Sequence, residues 1–322
     1  MQDFTGKYAV VTGGGTGIGR ELVRQLASEG CNVAMCDISG PNMAETLALI
    51  EQDGPPSNTR VTAHVADVSD EAQLIRFRHE FQAQHGVDRL HLLFNNAGIG
   101  AIISFIADPR EEWERTFNIC WGGVYLGCRT FLPLLMAADA GHIVNTSSVN
   151  GFWACAGPDQ SHTAYSAAKF AVKGFTESLV TDLRLHAPHI KCSVVMPGHI
   201  GTPITANARK IISGRDNAAL DAEELARARE QMAHMGANVT ELSDEAIQQL
   251  ADEQARRFVD EAPTSAAEAA RIILEGVNAG RWRILVGEDA HVFDRVVRAD
   301  PETAYEPIFL EKVAAETDLA WR

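Results

Sequence analysis

Basic side chains are scarce in this sequence of 322 residues. It has 28 lysines and arginines against 43 aspartates and glutamates, which gives a formal net charge of −15 at pH 7. Proteins that bind nucleic acid or anionic lipid surfaces need clustered positive charge to neutralise phosphate groups. The composition therefore argues against both kinds of partner, and it indicates an acidic, well-solvated surface.

Cysteine and long apolar runs are sparse as well. The six cysteines are scattered without a CxxC pair or a zinc-like spacing to histidine, so we expect small buried side chains in a reducing compartment and no metal site. The least polar window, residues 92–107, is interrupted by Asn95-Asn96 and by glycines, which argues against a membrane span. The sequence opens without a leader pattern, and the expected location is cytoplasmic.

Apolar segments of strand length alternate with amphipathic segments of helical length along most of the chain. This alternation predicts an α/β fold with a parallel sheet covered on both faces. The predicted strands are residues 8–12, 32–37, 61–66, 90–94, 142–146, 190–196 and 283–286. The predicted helices between them are residues 20–30, 43–52, 69–85, 110–138 and about 165–186.

Residues 205–262 interrupt this alternation and show no strand pattern. Two amphipathic helices are predicted there, at 219–235 and 243–259, and Ser243 is a suitable N-cap for the second. Their apolar positions are few, so we expect either a mobile lid over a substrate pocket or an element of a subunit contact. These positions are Leu220, Leu225, Ile247, Leu250 and Phe258.

The end of the chain is less regular. Ser265 and Glu268 form a capping box that opens a helix ending at Gly280. Residues 287–322 form a C-terminal tail for which the sequence gives no assignment. We therefore expect one domain over residues 1–322 that carries a helical insertion and a tail.

A glycine-rich stretch, Thr12-Gly13-Gly14-Gly15-Thr16-Gly17-Ile18-Gly19, follows the first strand and opens a helix. Glycines at this place let the backbone approach a pyrophosphate, whose charge is stabilised by the helix N-terminus. Asp37 ends the second strand, where a carboxylate can bind ribose hydroxyls and repel a 2′-phosphate, which favours NAD over NADP. Arg20 and Arg60 are alternative phosphate partners that would weaken this preference.

Tyr165 and Lys169 lie four residues apart in a predicted helix, so they share one face, one turn apart. A free phenol has a pKa of about 10 and exchanges protons poorly at neutral pH. A neighbouring ammonium group stabilises the phenolate, so we expect Lys169 to lower the pKa of Tyr165 and create an acid–base catalyst.

Together these motifs resemble the short-chain dehydrogenase/reductase family over residues 7–205, in its smaller single-domain branch. Further matches are Asp67-Val68, the Asn95-Asn96-Ala97-Gly98 motif, Ser148 after Asn145-Thr146-Ser147, and Pro197-Gly198. The resemblance implies the catalytic residues Asn118, Ser148, Tyr165 and Lys169. It implies a cofactor site at Thr12, Gly13, Gly15, Thr16, Gly17, Ile18, Gly19, Asp37, Asp67, Val68, Asn95, Ala97, Gly98, Tyr165, Lys169, Pro197, Gly198 and Thr202.

The same resemblance implies a Rossmann-like, doubly wound, seven-stranded parallel sheet and an NAD(P)-dependent alcohol dehydrogenase or ketoreductase. NAD(H) is the favoured cofactor and NADP(H) the alternative. Asn118 would hold a water in a proton relay that runs through Lys169. The expected partners are a small ketone or secondary alcohol, of a bulky apolar kind given the insertion, and further copies of the chain in a homodimer or homotetramer.

Some positions have two interpretations. Ser147 is an alternative to Ser148 as the catalytic hydroxyl. Phe152 and Trp153 either wall the substrate pocket or fill a subunit contact. His162 and His199 either touch substrate or act as hydrogen-bonded spacers. Asp159 is expected on the solvated surface.

Two other functions remain open at this stage. Relatives with the same site act as enoyl reductases or dehydratases, and a non-catalytic dinucleotide-binding regulator would also keep the glycines. The regulator does not need Ser148, Tyr165, Lys169 and Asn118, so their presence together favours an enzyme.

Overall fold

The structure is a computed structural model that describes residues 3–155, 160–215, 219–234, 238–239 and 242–316. Asp159, the end of the predicted helix 219–235 and the last six residues of the tail lie outside these ranges.

Seven parallel strands form the central sheet, in the order β3-β2-β1-β4-β5-β6-β9. This order reverses direction between β1 and β4, so the sheet is doubly wound and has its switch point there. A separate two-stranded parallel ribbon joins β7 to β8. The strands are β1 (Tyr8–Thr12), β2 (Asn32–Asp37), β3 (Val61–Val65), β4 (Leu92–Asn95), β5 (Gly141–Thr146), β6 (Ile190–Pro197), β7 (Ile200–Gly201), β8 (Thr264–Ser265) and β9 (Arg283–Val286).

Helices cover both faces of the sheet, as the alternating pattern predicts. Those of the described chain are α1 (Gly17–Ser28), α2 (Gly40–Asp53), α3 (Glu71–His85), α4 (Arg110–Phe117), α5 (Gly123–Met136), α6 (Thr163–His186), α7 (Ile204–Ser213), α8 (Ala222–His234), α9 (Asp244–Asp260), α10 (Ala266–Asn278), α11 (Glu288–Ala299) and α12 (Pro307–Glu316). Helices α3, α5 and α6 bury apolar side chains on one face, and α1, α2 and α10 do so on the other. The predicted fold class is confirmed.

The capping signals act as predicted. The Ser243 hydroxyl accepts a hydrogen bond from the amide of Ala246 at the start of α9 (3.2 Å), and Ser265 does the same for Glu268 at the start of α10 (3.1 Å). Each bond satisfies an amide that has no partner within the helix.

Four features differ from the sequence prediction. The helix predicted over 110–138 is divided by a π-helical turn at Asn118–Gly122. Helix α7 adds a third helix to the insertion, and the unassigned tail forms α11 and α12. Of the insertion's predicted apolar positions, Leu250 is exposed, whereas Leu220, Leu225 and Ile247 pack together between α8 and α9.

One helical stretch of the described chain, Arg110–Met136, is long and apolar enough to be compared with a membrane-spanning helix, with a mean hydropathy of 1.3 over its most apolar window. Of that window, 56% is buried inside the protein. Burial of this extent is typical of a core helix against a sheet, so the stretch is only a weak indication of a membrane segment.

Candidate active site

The glycine-rich loop between β1 and α1 lies at the carboxyl edge of the sheet, beside the switch point. Gly13 and Gly17 have left-handed backbone angles (φ +70° and +55°), which favour glycine. A side chain at Gly19 would collide with the carbonyl oxygen of Gly13, so α1 packs directly on the loop. Thr16, the N-cap of α1, makes no side-chain capping bond. This loop and helix terminus fit the diphosphate of a dinucleotide.

The side chains of Thr12 and Asn95 face the interior. Thr12 Oγ1 accepts hydrogen bonds from the backbone amides of Asn96 and Ala97, both at 3.0 Å, and so ties β1 to the turn after β4. Asn95 Nδ2 donates to Asn145 Oδ1 (2.8 Å) between β4 and β5. Both side chains fix strand ends at the carboxyl edge of the sheet.

The turns after β3 and β4 complete the edge of the sheet. Asp67 Oδ1 accepts a hydrogen bond from the amide of Ser69 (2.8 Å), and Val68 packs against Gly123 of α5. A Cβ atom on Gly98 would lie 3.5 Å from Lys169 Nζ, so this turn passes close to the lysine.

Asp37 reaches from the end of β2 to the glycine-rich loop. Its Oδ2 accepts a hydrogen bond from the amide of Gly15 and its Oδ1 from the amide of Ser39, both at 3.0 Å. Burial raises the pKa of this carboxyl above its ordinary value, and the two amides oppose the shift. The carboxylate is therefore fixed where doubly wound folds bind a ribose.

The two arginines considered as phosphate partners are engaged elsewhere. Arg20 donates through Nε and Nη2 to the carbonyl oxygen of Gly15 (3.0 and 2.7 Å) and pairs with Glu45 (2.7 Å). Arg60 donates to the carbonyl of Gln84 beside the amino end of β3, at the opposite edge of the sheet. The suggested role is wrong for Arg60, and Arg20 would have to break these bonds to perform it.

Ser148, Tyr165 and Lys169 lie together at the carboxyl edge. Tyr165 and Lys169 are one turn apart on α6, with Lys169 Nζ 5.3 Å from the centre of the phenol ring. The Ser148 side chain faces the Tyr165 phenol and opposes the rise of its pKa, and Lys169 Nζ donates to the carbonyl oxygen of Thr146 (2.9 Å). The three residues are 6%, 9% and 3% exposed, so their chemistry takes place largely out of water.

Burial controls the ionisation of this cluster. It raises the pKa of the Tyr165 phenol well above its ordinary value and lowers the pKa of Lys169. The expected lowering of the Tyr165 pKa is therefore wrong for the net shift, because desolvation of the phenol outweighs any stabilisation of the phenolate by the neighbouring ammonium. Tyr165 is held in its neutral form, which is the form that donates a proton.

Ser147 and Ser148 have different surroundings. The hydroxyl of Ser147 is buried and donates to the carbonyl oxygen of Lys169 (2.7 Å), and a side chain at Gly151 would collide with it. Ser147 therefore joins β5 to α6, whereas Ser148 faces the Tyr165 phenol.

Asn118 is exposed at the first residue of the π-helical turn, which packs against α6. Such turns often mark functional sites, because they shift the side chains that follow relative to a regular α-helix. In this protein the π-helical turn directs Ile119 and Cys120 inward. Cys120 Sγ lies 3.3 Å from the carbonyl oxygen of Ile99.

His162 precedes α6 and packs on the cluster of Ser148, Tyr165 and Lys169, with its ring centre 4.6 Å from that of Tyr165. Burial lowers the pKa of His162 to about 4, although a hydrogen bond to the backbone of Ala101 opposes the shift. Its Nδ1 atom has no hydrogen-bond partner among the described residues. The imidazole is therefore neutral at pH 7 and holds the phenol ring in place.

The turn after β6 connects the cluster to the insertion. The methyl group and Cβ atom of Thr202 lie 3.1 Å from the position that a Cβ atom would take on Gly17, so the turn packs on the glycine-rich loop. His199 Nε2 lies 2.7 Å from the carbonyl oxygen of Phe258, and the two rings are 4.4 Å apart. His199 is thus placed as a hydrogen-bonded spacer.

The insertion lies against both the glycine-rich loop and the apolar side chains around Tyr165. Helix α7 buries Ala208 in the same apolar cluster as Tyr165, and Asn207 Nδ2 donates to Thr16 Oγ1 (3.0 Å). Helix α8 reaches α4 through Arg227, whose Nη1 lies 3.1 Å from Glu112 and 3.6 Å from Asp108.

Trp153 is buried among residues of the tail. Its indole Nε1 donates to the carbonyl oxygen of Ala304 (2.7 Å), and its ring stacks on Phe293 at 4.7 Å. Neither suggested role for Trp153 is right, because it fastens the turn after Ser148 to α11 and α12. Phe152 packs on the edge of the same cluster.

Sequence reasoning missed several residues at this site. Asn207, Arg227 and Asp289, a buried residue of α11 that contacts the turn after β6, carry no motif of their own. Only the opening position of Asn207 within the insertion could have drawn attention to one of them.

A doubly wound sheet with a glycine-rich loop at its switch point, facing a serine, tyrosine and lysine, defines a dinucleotide-binding protein with an acid–base centre. The family model described as short chain dehydrogenase matches residues 7–213. The chain therefore belongs to the short-chain dehydrogenase/reductase family and is an oxidoreductase of that family.

Two curated relatives show the range of similarity. SadH of Mycobacterium tuberculosis is 31% identical over 298 residues, which cover 92% of each chain. Levodione reductase of Leifsonia aquatica is 32% identical over 211 residues, 64% of this chain and 74% of the relative.

Two solved structures carry a bound cofactor. A short-chain dehydrogenase/reductase from Burkholderia phymatum in complex with NAD has a TM-score of 0.74 at 30% identity and covers 95% of this chain and 98% of its own. A metagenomic short-chain oxidoreductase in complex with NADP has a TM-score of 0.53 at 31% identity, over 61% of this chain and 83% of its own. These findings support a nicotinamide dinucleotide as the cofactor.

Proposed function

We propose that this protein is an NAD(P)-dependent dehydrogenase that interconverts a secondary alcohol and a ketone. The observation that carries the proposal is the buried grouping of the Tyr165 phenol, the Ser148 side chain that faces it, and Lys169 one turn further on α6. The name of the relative levodione reductase agrees with reduction of a ketone.

The bound nicotinamide supplies or accepts the hydride. During ketone reduction, Tyr165 Oη gives its proton to the carbonyl oxygen. The Ser148 hydroxyl donates a hydrogen bond to the same oxygen as negative charge develops there. Burial keeps the phenol neutral until that step, and it also strengthens both interactions by excluding water.

Lys169 and Asn118 would restore the proton after each turnover. Lys169 Nζ is hydrogen-bonded at Thr146 and lies beside the phenol ring, so it stabilises negative charge as the phenolate forms. Asn118, exposed on the adjoining π-helical turn, would hold a water that connects Lys169 with solvent.

NAD(H) is the proposed cofactor. Asp37 lies against the glycine-rich loop, where its carboxylate would bind ribose hydroxyls and repel a 2′-phosphate. Arg20 is occupied by Gly15 and Glu45, so no free guanidinium from Arg20 offsets this charge.

The proposed substrate is a bulky, apolar carbonyl compound. The neighbourhood of Tyr165 is lined by apolar side chains, and helix α7 of the insertion packs on them through Ala208. We infer that residues 205–262 act as a lid, since their first helix touches both the glycine-rich loop and this apolar wall.

We also propose a homodimer or homotetramer in the cytoplasm. Exposed apolar side chains on α5 and α6 favour a contact with another copy: Tyr125, Met136, Phe170 and Leu185. None of the six cysteines forms a disulfide and five of them are buried, which fits a reducing compartment.

A screen of NADH consumption over aliphatic, aryl and steroid-like ketones tests the activity. The expected result is turnover that rises with the apolar bulk of the ketone. A protein that reduces only conjugated carbon–carbon double bonds would contradict the proposal, and so would one that binds NADH without turning over any ketone.

A further inference from the structure

Asp289 is a buried carboxylate that the mechanism above does not use. It is the second residue of α11 and is 1% exposed. The chain leaves β9 through Gly287 (φ +96°), and this turn brings Asp289 over the carboxyl end of β6. The N-terminal amides of a helix stabilise a carboxylate at such a position.

The carboxylate holds the turn that follows β6. Its Oδ2 accepts a hydrogen bond from the backbone amide of His199 (2.6 Å). A side chain on Gly198 would collide with the carboxylate, so the Gly198–His199 peptide lies directly against it. The amide of Gly198 also donates to the carbonyl oxygen of Val286 (2.9 Å). The start of the turn is therefore fixed at two points, one on β9 and one on Asp289.

The other carboxylate oxygen indicates that stability alone does not account for this residue. Asp289 Oδ1 is buried and has no hydrogen-bond partner among the described residues. A buried polar atom without a partner costs about 1–3 kcal/mol, so an apolar side chain that filled the same space would favour folding more. The carboxylate makes a hydrogen bond with the amide of His199 that an apolar side chain could not make.

We propose that Asp289 is a positioning residue for the nicotinamide half of the cofactor, because it fixes the turn at Gly198 and His199. This inference rests on the proposed function: hydride transfer requires the nicotinamide to lie beside Ser148 and Tyr165, and Ser148 follows β5, the neighbour of β6 in the sheet. The adenosine half belongs to the glycine-rich loop after β1 and to Asp37 at the end of β2. In the sheet, β4 and β5 lie between these two strands and β6. Loss of Asp289 should therefore weaken the binding of one half only.

The test compares two ligands that differ in the nicotinamide. NADH and ADP-ribose are titrated into the wild type and Asp289→Ala, and kcat is measured with the best ketone of the screen. We expect NADH affinity to fall about tenfold, a change equal to about 1.4 kcal/mol, while ADP-ribose affinity stays within about twofold. The kcat should also fall, because a displaced nicotinamide reacts poorly.

Matched variants separate positioning from general damage. Asp294→Ala removes another carboxylate of α11, one that pairs with Arg283 (3.0 Å), and it should leave the ratio of the two affinities unchanged. Asp289→Asn keeps an oxygen that can accept from His199, so it should recover most of the NADH affinity and kcat. If Asp289→Ala does not fold, Asp289→Ser replaces it with the same expected result.

Two results would overturn the inference. Equal weakening of NADH and ADP-ribose would show that Asp289 supports the whole fold, and unchanged NADH affinity and kcat would show that the turn does not need it. Wild-type protein that binds neither ligand would contradict the proposed function itself, and the role of Asp289 would fall with it.

Discussion

Asn207 Nδ2 donates a hydrogen bond to Thr16 Oγ1 over 3.0 Å, and this bond joins the first helix of the insertion to the loop that precedes α1. Thr16 is the N-cap of α1, at the place where the cofactor diphosphate is expected. The bond therefore connects lid position with the cofactor site. Replacing Asn207 by Ala should speed NADH release and raise the KM for bulky ketones, as stopped-flow fluorescence and steady-state rates can show. An unchanged release rate would indicate that α7 does not move with the cofactor.

Arg227 of α8 pairs with Glu112 of α4 and with Asp108 just before α4, and these ion pairs hold the second helix of the insertion. Arg227 is 35% exposed, so we expect the pair to contribute about 0.2–1 kcal/mol to the closed lid. Arg227→Ala should raise the KM for bulky ketones up to about fivefold, and high salt should remove the difference from wild type. Arg256→Ala, which breaks an exposed ion pair within α9, is the control and should have no effect. Equal effects of Arg227→Ala and Arg256→Ala on this KM would contradict a specific role of the Arg227 ion pairs in holding the lid closed.

Cofactor preference depends on Asp37. Asp37→Ser should raise the use of NADPH relative to NADH by about tenfold or more, because it removes a charge that repels the 2′-phosphate. The ratio of kcat/KM for the two cofactors is the measurement. Glu51→Ala, an exposed acid on α2, controls for the overall change in charge. A wild type that already prefers NADPH tenfold would show that Arg20 leaves Gly15 to bind the phosphate.

Four histidines make the stability of the protein depend on pH; His91 and His142 are buried, and His85 and His162 are partly buried. Burial lowers the pKa of His85 and His162 to about 4 and of His142 to about 3, and it lowers the pKa of His91 as well. The unfolded chain binds protons near pH 6.5 and the folded protein does so only at lower pH, so stability is complete above 6.5 and falls as the pH drops towards 4. His85, His162 and His142 should each contribute roughly 1–3 kcal/mol to this loss.

Urea unfolding at pH 7.5, 6, 5 and 4 measures how the free energy of unfolding depends on pH. His142→Asn should flatten this dependence, because asparagine does not titrate, whereas replacement of the exposed His186 by Gln should not change it. A free energy of unfolding that stays constant between pH 7 and 5 would contradict the assignment of neutral buried histidines.

Local patterns in the sequence were sufficient for most of the fold. The strand at Arg283–Val286 and the caps at Ser243 and Ser265 follow from hydrophobic periodicity and hydrogen-bonding side chains, which act over a few residues. Helix α7 was missed because it is short, follows Pro203 directly and buries only Ala208 fully. The role of Trp153 depends on Phe293 and Ala304, about 140 and 151 residues further along the chain, and no local pattern reports such contacts.

The candidate site also combines features that the sequence predicts with features that only the folded structure determines. The spacing of Tyr165 and Lys169 predicted that the two side chains lie together on one helix face, which the 5.3 Å contact shows. The direction of the Tyr165 pKa shift was not predictable, because burial depends on α7 and on residues of every neighbouring element. Ser147 and Ser148 could be told apart only after the carbonyl of Lys169 was located.

The most direct test of the account is the turnover of Tyr165→Phe, measured together with its NADH affinity. This substitution removes only the hydroxyl that donates the proton, and the ring remains against His162. Proton donation of this kind supplies about 10²- to 10⁴-fold in rate. The account predicts a loss of kcat of at least that size, with NADH affinity within about twofold of wild type. A variant that keeps more than about half of the wild-type kcat would contradict the role of Tyr165 as the acid–base catalyst.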